Sequence, residues 1–438
     1  MLSAFVSAFR TPDLRKKLLF TLGIIALYRL GSSVPGPGVA YANLNTCLTN
    51  AQNGAQRDIY SLVNLFSGGA LLRLSVFALG IMPYITASII VQLLVVVIPR
   101  FEQLKKEGQS GQTKLTQYTR YLTIALAILQ STGIVALARS GQLFPGCQLP
   151  LIPNQSIFTQ VTLVIALTAG TGVIMWLGEL LTEKGVGNGM SVLIFTSIAA
   201  RMPAEGGNIL QDRGGFVFFL VCLLGLVIIT SVVYVEQAQR RIPVQYAKRM
   251  VGRRMYGGTS TYLPLKVNQA GVIPVIFASS LLYLPQLLQQ LQSNQTGAFA
   301  SFVANYVVDQ GSPVHIALYF ALIVFFTYFY VSITFNPEER ADDMKKYGGF
   351  IPGIRPGRPT AEYLSFVLSR ITLPGSIYLG TVAVLPNLLL SVTSSAGQAS
   401  QNFPFGGTAV LIMVGVGLET VKQIESQLQQ RNYEGFLR

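Results

Sequence analysis

The stretch VFALGIMPYITASIIVQLLVVVI, residues 76–98, has no charged side chain over a length that matches the hydrocarbon core of a bilayer. Similar apolar blocks recur along the 438 residues of the chain, whose mean hydropathy is +0.49 and of which only 11% are charged. A soluble domain carries about a quarter charged residues. The sequence therefore predicts an all-α polytopic membrane protein.

The apolar blocks predict ten membrane spans. Their ranges are 18–34, 76–98, 118–138, 157–180, 190–202, 215–236, 269–291, 314–335, 371–392 and 405–423. With the N-terminus inside, 26 of the 32 Lys and Arg residues fall in inner segments, five fall in outer loops, and Arg29 lies within the first span. Because cytoplasmic loops are enriched in Lys and Arg, both chain ends are predicted to lie in the cytosol.

Ten spans divide into two groups of five, joined by the outer segment MPAEGGNILQDRGG, residues 202–215. Because each group has an odd number of spans, the two halves are predicted to be inverted, with a pathway at their interface near the midplane. The predicted organisation is a cytosolic N-terminal arm (1–17), an N-terminal half (18–201), an external hinge loop (202–214), a C-terminal half (215–424) with cytosolic loops 237–268 and 336–370, and a cytosolic tail (425–438).

The residue types that metal or nucleotide chemistry needs are scarce. His315 is the only histidine, the three cysteines are scattered, and no G-x-x-x-x-G-K-[ST] phosphate-binding motif occurs. The spans also lack the midplane carboxylates of ion-coupled transporters, since Glu179, Glu236 and Glu419 lie near predicted span ends. The sequence therefore predicts a non-catalytic protein without a metal or cofactor, for which another protein supplies any energy.

Glycine and proline break the apolar pattern at several points. Gly80 and Pro83 interrupt the second span, and Gly271 and Pro274 the seventh; such positions mark kinks, close packing or the wall of a pathway. The segment IYSLVNLFSGGALLRLS, residues 59–75, is amphipathic and too short to span the membrane. It is either an interfacial helix or a re-entrant segment, and its composition leaves both readings open.

Two predicted cytosolic loops concentrate positive charge. KKYGGFIPGIRPGRPT, residues 345–360, combines four glycines and three prolines with four cations, and QRRIPVQYAKRMVGRRMYGGTSTYLPLK, residues 239–266, contains two Arg pairs. Glycine and proline at this density predict a loop with a stiffened backbone. An inside-positive bias explains part of the charge, but the stiffening and the paired arginines predict a docking surface for an anionic partner.

Several long motifs, in order along nearly the whole chain, resemble one family. They are NLFSGGAL, FALGIMPYITASIIVQLL, KKEGQSGQTKLTQYTRYLT, MWLGELLTEKGVGNGMS, EQAQRRIPVQYAKRMVGRR, STYLPLKVNQAGVIPVIFASS, KKYGGFIPGIRPGRPT and QLQQRNYEGFLR. On these motifs the chain is identified as a member of the SecY family, the central subunit of the bacterial protein-conducting channel. The resemblance implies a passive channel that passes unfolded secretory polypeptides and releases apolar segments sideways into lipid.

The resemblance also implies functional residues at the matching positions. A midplane pore ring would consist of Ile81, Ile85, Met190, Ile194, Ile276 and Ile412, with Met190 in place of the family's more usual isoleucine. A plug would comprise Asn64, Leu65, Phe66, Ser67 and Gly68. A lateral gate between spans two to three and seven to eight would include Thr86, Gln130, Ser279 and Ser280. Cytosolic docking would use Arg240, Arg241, Lys248, Arg249, Arg253, Arg254, Arg355 and Arg358.

The partners implied by the resemblance are the small subunits SecE and SecG, the motor ATPase SecA, and the translating ribosome through its RNA phosphates. Accessory SecD, SecF and YidC, unfolded client polypeptides and anionic lipids complete the set, and the implied location is the bacterial plasma membrane. The alternative is an ion-coupled small-solute secondary transporter, which needs a midplane carboxylate or a polar site of substrate size. A membrane-embedded enzyme would need a nucleophile–base pair.

Topology alone suggests one covalent link. Cys47 and Cys147 both fall in predicted outer loops, where disulfides persist, so they form either a bridge or two free thiols. Cys222 lies in the sixth span and is predicted to be a small packing residue.

Overall fold

The computed structural model describes residues 9, 11–52, 67–139, 141, 147, 149–154, 156–246, 249–251, 254–256, 260–291, 306–307, 312–393 and 407–435. Its helices are α1 (Pro12–Ser33), α2 (Tyr41–Gln52), α3 (Met82–Val97), α4 (Pro99–Lys106), α5 (Gln109–Arg139), α6 (Ile157–Lys184), α7 (Gly189–Ala199), α8 (Met202–Gln237), α9 (Ile273–Leu291), α10 (Pro313–Thr334), α11 (Pro337–Lys346), α12 (Arg358–Thr393) and α13 (Gly407–Gly435). Its strands are β1 (Gln239–Tyr246), β2 (Arg249–Val251), β3 (Arg254–Tyr256), β4 (Ser260–Lys266) and β5 (Gly349–Phe350).

Helices occupy all ten predicted spans in the predicted order. Within the described residues, six helical stretches are long and apolar enough to cross a membrane: Gln109–Arg139, Ile157–Lys184, Gly214–Gln237, Pro313–Lys346, Arg358–Leu385 and Gly407–Gln429. The pair α3 and α4 adds a seventh if it counts as one bent span. Helix α7 and residues Ile273–Leu282 are apolar but shorter, and α1 carries Lys16, Lys17 and Arg29 among its apolar residues.

Local sequence explains where several helices begin and bend. Ser156 and Asn188 cap α6 and α7, each accepting a hydrogen bond from a backbone N–H two residues later. Between α3 and α4 the chain bends by 100°, because Ile98 precedes Pro99 and takes the extended conformation that proline imposes on its neighbour.

The central core is an apolar cluster built from α1, α3, α6, α7, α8, α9, α10, α12 and α13. A second cluster joins α2 and residues 71–79 to α5, α6 and residues Leu151 and Ile152. A third lies under the strands, where Ile242, Leu265 and Ile351 pack on the ends of α10 and α12. The short helix α7 is the element most enclosed by the first cluster.

Two expectations about loops are wrong. The predicted external hinge loop at 202–214 is helical from Met202 and breaks only at Gly214, whose φ of 81° and ψ of 170° are not helical. Pro203 sits in the first turn, where its missing N–H costs nothing, so it starts this helix instead of preventing it.

The two basic segments that were predicted to be cytosolic loops are also more regular than predicted. Strand β1 pairs antiparallel with β4 from Gln239 to Gln245 and with β5 through Gln245–Phe350 and Tyr246–Gly349, which gives a three-stranded sheet in the order β4-β1-β5. Strands β2 and β3 form a separate hairpin. In the 345–360 stretch, Lys345 and Lys346 end α11 and Arg358 starts α12, so the irregular part is shorter than predicted.

Candidate functional site

The six predicted pore-ring side chains all belong to the central apolar cluster or pack against it. Five of them are buried members: Ile81 just before α3, Ile85 on α3, Ile194 on α7, Ile276 on α9 and Ile412 on α13. Met190, in the first turn of α7, packs against the same cluster and is only partly buried. Four helices that are distant in sequence thus contribute to one apolar zone of the protein.

Close glycine contacts hold α7 in this zone. Gly178 of α6 lies directly against the sulfur of Met190, and Gly189 lies against the carbonyl oxygen of Gly178, where a Cβ would clash with the backbone. A Cβ on Gly187, whose φ is +90°, would lie 3.2 Å from the hydroxyl oxygen of Thr420 on α13. The Met190 thioether therefore packs on α6.

Three hydroxyl groups beside the apolar zone are satisfied by their own helices. Thr86 donates to the carbonyl oxygen of Met82 at 3.0 Å, Thr196 to that of Val192 at 2.8 Å, and Ser279 to that of Ile276 at 2.9 Å. Such back-bonding takes up the hydroxyl proton locally. These three hydroxyls are thus poorly suited to binding a polar solute.

The described part of the predicted plug is enclosed by protein. Ser67, Ala70, Leu71, Leu74 and Ser75 are all buried, and the backbone of 68–69 takes positive φ at both glycines. The backbone N–H of Val76 donates to the carbonyl oxygen of Val34, and Ser75 forms a β-bridge with Pro35. This burial favours the re-entrant reading over an interfacial helix. Asn64, Leu65 and Phe66 lie outside the described residues.

The predicted lateral gate corresponds to a packed helix boundary. Helix α9 contacts both α3 and α5. Thr86 and Ser279 are partly buried, whereas Gln130 and Ser280 are buried, and the hydroxyl of Ser280 finds no hydrogen-bond partner among the described residues. Lys105 of α4 donates to the carbonyl oxygen of Ile333 near the end of α10 at 3.2 Å. The helices of the predicted gate are thus in contact in this structure.

The predicted docking residues lie on and around the three-stranded sheet. Arg240 and Arg241 are exposed on β1, and the Arg241 guanidinium lies 4.8 Å from the centre of the Tyr262 ring on β4. The backbones of Arg249 and Arg254 belong to the β2–β3 hairpin. Lys248 and Arg253 lie outside the described residues. The β1–β5 pairing brings the two basic segments side by side, as predicted.

Arg355 is exposed on a turn with fixed backbone geometry. Its carbonyl oxygen accepts a hydrogen bond from the Thr360 hydroxyl at 2.9 Å. Gly353 and Gly357, on either side, have φ of 85° and 102°, values that other residues rarely adopt. Arg358 is also exposed and contacts Glu362 at 3.1 Å. The two glycines thus allow a tight turn at Arg355, and the stiffening expected from the prolines stays a prediction.

Cys47 and Cys147 form a disulfide with Cα atoms 5.5 Å apart. The bridge joins α2 to the segment between α5 and α6, and Cys47 belongs to the second apolar cluster with Leu71 and Leu74. Of the two possibilities that the sequence left open, the structure contains the bridge. Cys222 is a free, partly buried thiol on α8, consistent with a packing residue.

Several polar contacts near the site were not predicted. Arg120 of α5 forms a bidentate ion pair with Glu179 of α6, with N–O distances of 2.9 and 2.7 Å. Asn268 donates to the carboxylate of Glu236 at 2.8 Å. Each pair joins residues 32 or more positions apart, so only a three-dimensional arrangement reveals them.

Comparison with known proteins gives consistent matches. The family model described as SecY matches residues 75–421. The "Protein translocase subunit SecY" of Mycobacterium bovis is 68% identical, and that of Streptomyces coelicolor 65% identical, with all of both chains covered in each case.

Solved structures share the fold. The chain aligns with "The structure of a protein conducting channel" at a TM-score of 0.62 and 16% identity, covering 94% of this chain and 91% of that one. It aligns with "Sec61 in the Canine ribosome-channel complex from the endoplasmic reticulum" at a TM-score of 0.59, 16% identity and the same coverage. The predicted all-α polytopic fold is confirmed.

Proposed function

Because the chain belongs to the SecY family, we propose that it works as a passive protein-conducting channel whose seal is the apolar zone of α3, α7, α9 and α13. The convergence of Ile81, Ile85, Ile194, Ile276 and Ile412 in one buried cluster carries this proposal. A narrow apolar constriction tends to dewet and so blocks ions. When an unfolded chain passes, the same side chains pack around any sequence without binding one.

The lateral boundary supports a second route, into lipid. An apolar client segment gains about 0.3–0.6 kcal/mol for each central Leu or Ile that enters the bilayer, so twenty such residues give at most roughly 6–12 kcal/mol. That gain offsets the separation of α9 from α3 and α5. A polar segment has no such gain and continues across the membrane. Thr86, Gln130, Ser279 and Ser280 line this proposed gate.

The segment around Ser67 and Gly68 is the proposed plug on the outer side of the seal. Deleting residues 62–69 should make channel openings more frequent, because the closed state loses at least the buried contacts of Ser67. Single-channel recording in planar bilayers measures the opening frequency, with the full-length protein as reference. Unchanged opening frequency would exclude a plug role for 62–69.

The proposed cytosolic partners bind the sheet and the Arg355 turn. Arg240, Arg241 and Arg355 are exposed there, and an Arg side chain can contact RNA phosphates through two parallel hydrogen bonds. A backbone that is already fixed lowers the entropy cost of docking. We therefore assign this surface to the translating ribosome and to SecA in competition, with Arg249, Arg254 and Arg358 beside it.

The remaining assignments follow from family membership and charge. SecE and SecG are the proposed membrane companions, with SecD, SecF, YidC and anionic lipids as accessory partners. The protein is a multi-pass membrane protein, and its bacterial relatives together with the distribution of Lys and Arg favour the plasma membrane with both ends cytosolic.

Transport of a polypeptide tests the function directly. Proteoliposomes with the protein, its small subunits and the partner ATPase should protect a secretory precursor from external protease only when ATP is present. The same vesicles should show no saturable uptake of sugars, amino acids or cations. Uptake of such solutes without precursor protection would favour the small-solute transporter, although the hydroxyls of Thr86, Thr196 and Ser279 are already bonded within their helices.

A further inference from the structure

A cation on the first helix contacts the backbone of the proposed plug. Arg29 of α1 donates from Nη1 to the carbonyl oxygen of Gly68 at 3.2 Å, across 39 positions of sequence. Arg29 is only partly buried and lies one turn before the end of α1. A guanidinium keeps its charge at every physiological pH, so this hydrogen bond is always charge-assisted.

The neighbours of Arg29 position it toward Gly68. Tyr28, almost fully buried, contacts the Ser197 hydroxyl at 2.7 Å; Ser197 itself donates to Leu193, so Tyr28 donates to Ser197. The Tyr28 ring also stacks on Phe77, with ring centres 6.0 Å apart. The end of α1 is thereby fixed to α7 and to the segment that follows Gly68.

Gly68 lies close to both elements. A Cβ at this position would lie 3.3 Å from Nη1 of Arg29 and 3.3 Å from the Cα of Ser197, and the φ of +65° is one that residues other than glycine rarely adopt. A larger residue here would therefore be strained, and glycine suits this close approach to α1 and α7. A small displacement of residue 68 would break the contact with Arg29.

We propose that Arg29 is a positioning residue that holds Gly68 against α7 and so sets how often the plug segment leaves its closed position. This role rests on the proposed function of the segment as a plug. The hydrogen bond forms only while Gly68 lies against α7, so it stabilises the closed position of the segment and not the displaced one. Loss of one charge-assisted hydrogen bond should raise the unseated fraction about tenfold or more.

Thiol labelling measures how often the segment around Gly68 leaves its closed position, and it requires no transport of a client polypeptide. Ser67 is 1% exposed, so a cysteine introduced by Ser67→Cys reports when this residue becomes accessible. In a Cys222→Ser background, where Cys47 and Cys147 form the native disulfide, the introduced cysteine is the one free thiol. With a membrane-impermeant maleimide, adding Arg29→Met should accelerate labelling about tenfold. Arg29→Lys, which keeps the charge and a donor, should restore most of the protection. Arg139→Met, which removes an exposed cation at the end of α5, should leave the rate unchanged.

Ion conductance gives the second measurement on the same variants. Faster labelling together with more frequent openings supports the whole proposal. Faster labelling with unchanged conductance shows that Arg29 seats Gly68 but that the segment does not seal the channel, which contradicts the proposed plug instead. If Arg29→Met leaves the labelling rate unchanged, the positioning role is wrong, whatever the conductance.

Discussion

Replacing Arg355 with glutamate should remove most secretion of precursor proteins while the protein remains inserted in the membrane. Arg355 is exposed on the turn fixed by Thr360, Gly353 and Gly357, so the change reverses a charge without removing a packing contact. A charged residue at the centre of an interface contributes about 2 kcal/mol or more when it is a binding hot spot. We therefore expect partner affinity to fall at least about 30-fold.

Matched variants separate docking from general charge. Arg340→Glu makes the same charge change at an exposed position of α11 and should leave secretion near the wild-type level. Arg355→Lys should be intermediate, because lysine keeps the charge but loses the two-pronged hydrogen bonding. Secretion of a reporter precursor and the amount of membrane-inserted protein are measured together. Normal secretion in Arg355→Glu would refute the docking role of this turn.

Replacing Ile85, Ile194, Ile276 and Ile412 together with glycine should open a steady ion leak. All four side chains are buried in one cluster, so their removal leaves a wider gap lined by backbone groups that water can wet. A loss of only about 1.4 kcal/mol from the barrier raises the ion flux tenfold. The leak should appear in planar bilayers without any client polypeptide.

The control for the leak uses four other isoleucines in membrane-spanning helices. Ile124, Ile128, Ile165 and Ile377 are each more than 40% exposed, and changing all four to glycine adds the same backbone flexibility without touching the buried cluster. This variant should stay ion-tight. A quadruple mutant of the buried set that also stays tight would contradict the apolar seal.

The sequence predicted the helices well because their apolar blocks are long. It missed the three-stranded sheet because β1 and β4 are rich in polar and charged residues. The signal was nevertheless present: in QRRIPVQY, Ile242 and Val244 are buried while their neighbours are exposed, the period-two pattern of a strand with one covered face. The 202–214 segment was misjudged because Pro203 and paired glycines suggested a loop.

The sequence identified which residues belong to the site but not which residues they contact. The pore-ring positions came from family resemblance, and no periodicity in α7 alone would distinguish Ile194 from its buried neighbours. Three contacts join separate elements of the chain: the packing of Met190 against Gly178, the Arg29–Gly68 hydrogen bond and the Arg120–Glu179 ion pair. Such contacts depend on how helices pack, which a single sequence does not specify.

The three-stranded sheet has a mechanical consequence. Strand β1 follows α8 after a single residue, β4 leads into the turn before α9, and β5 stands between α11 and α12. Torque applied to the sheet would therefore reach α8, α9 and α12 at once. Of these helices, α9 also contacts α3 and α5, so a load on the sheet would be passed to that boundary.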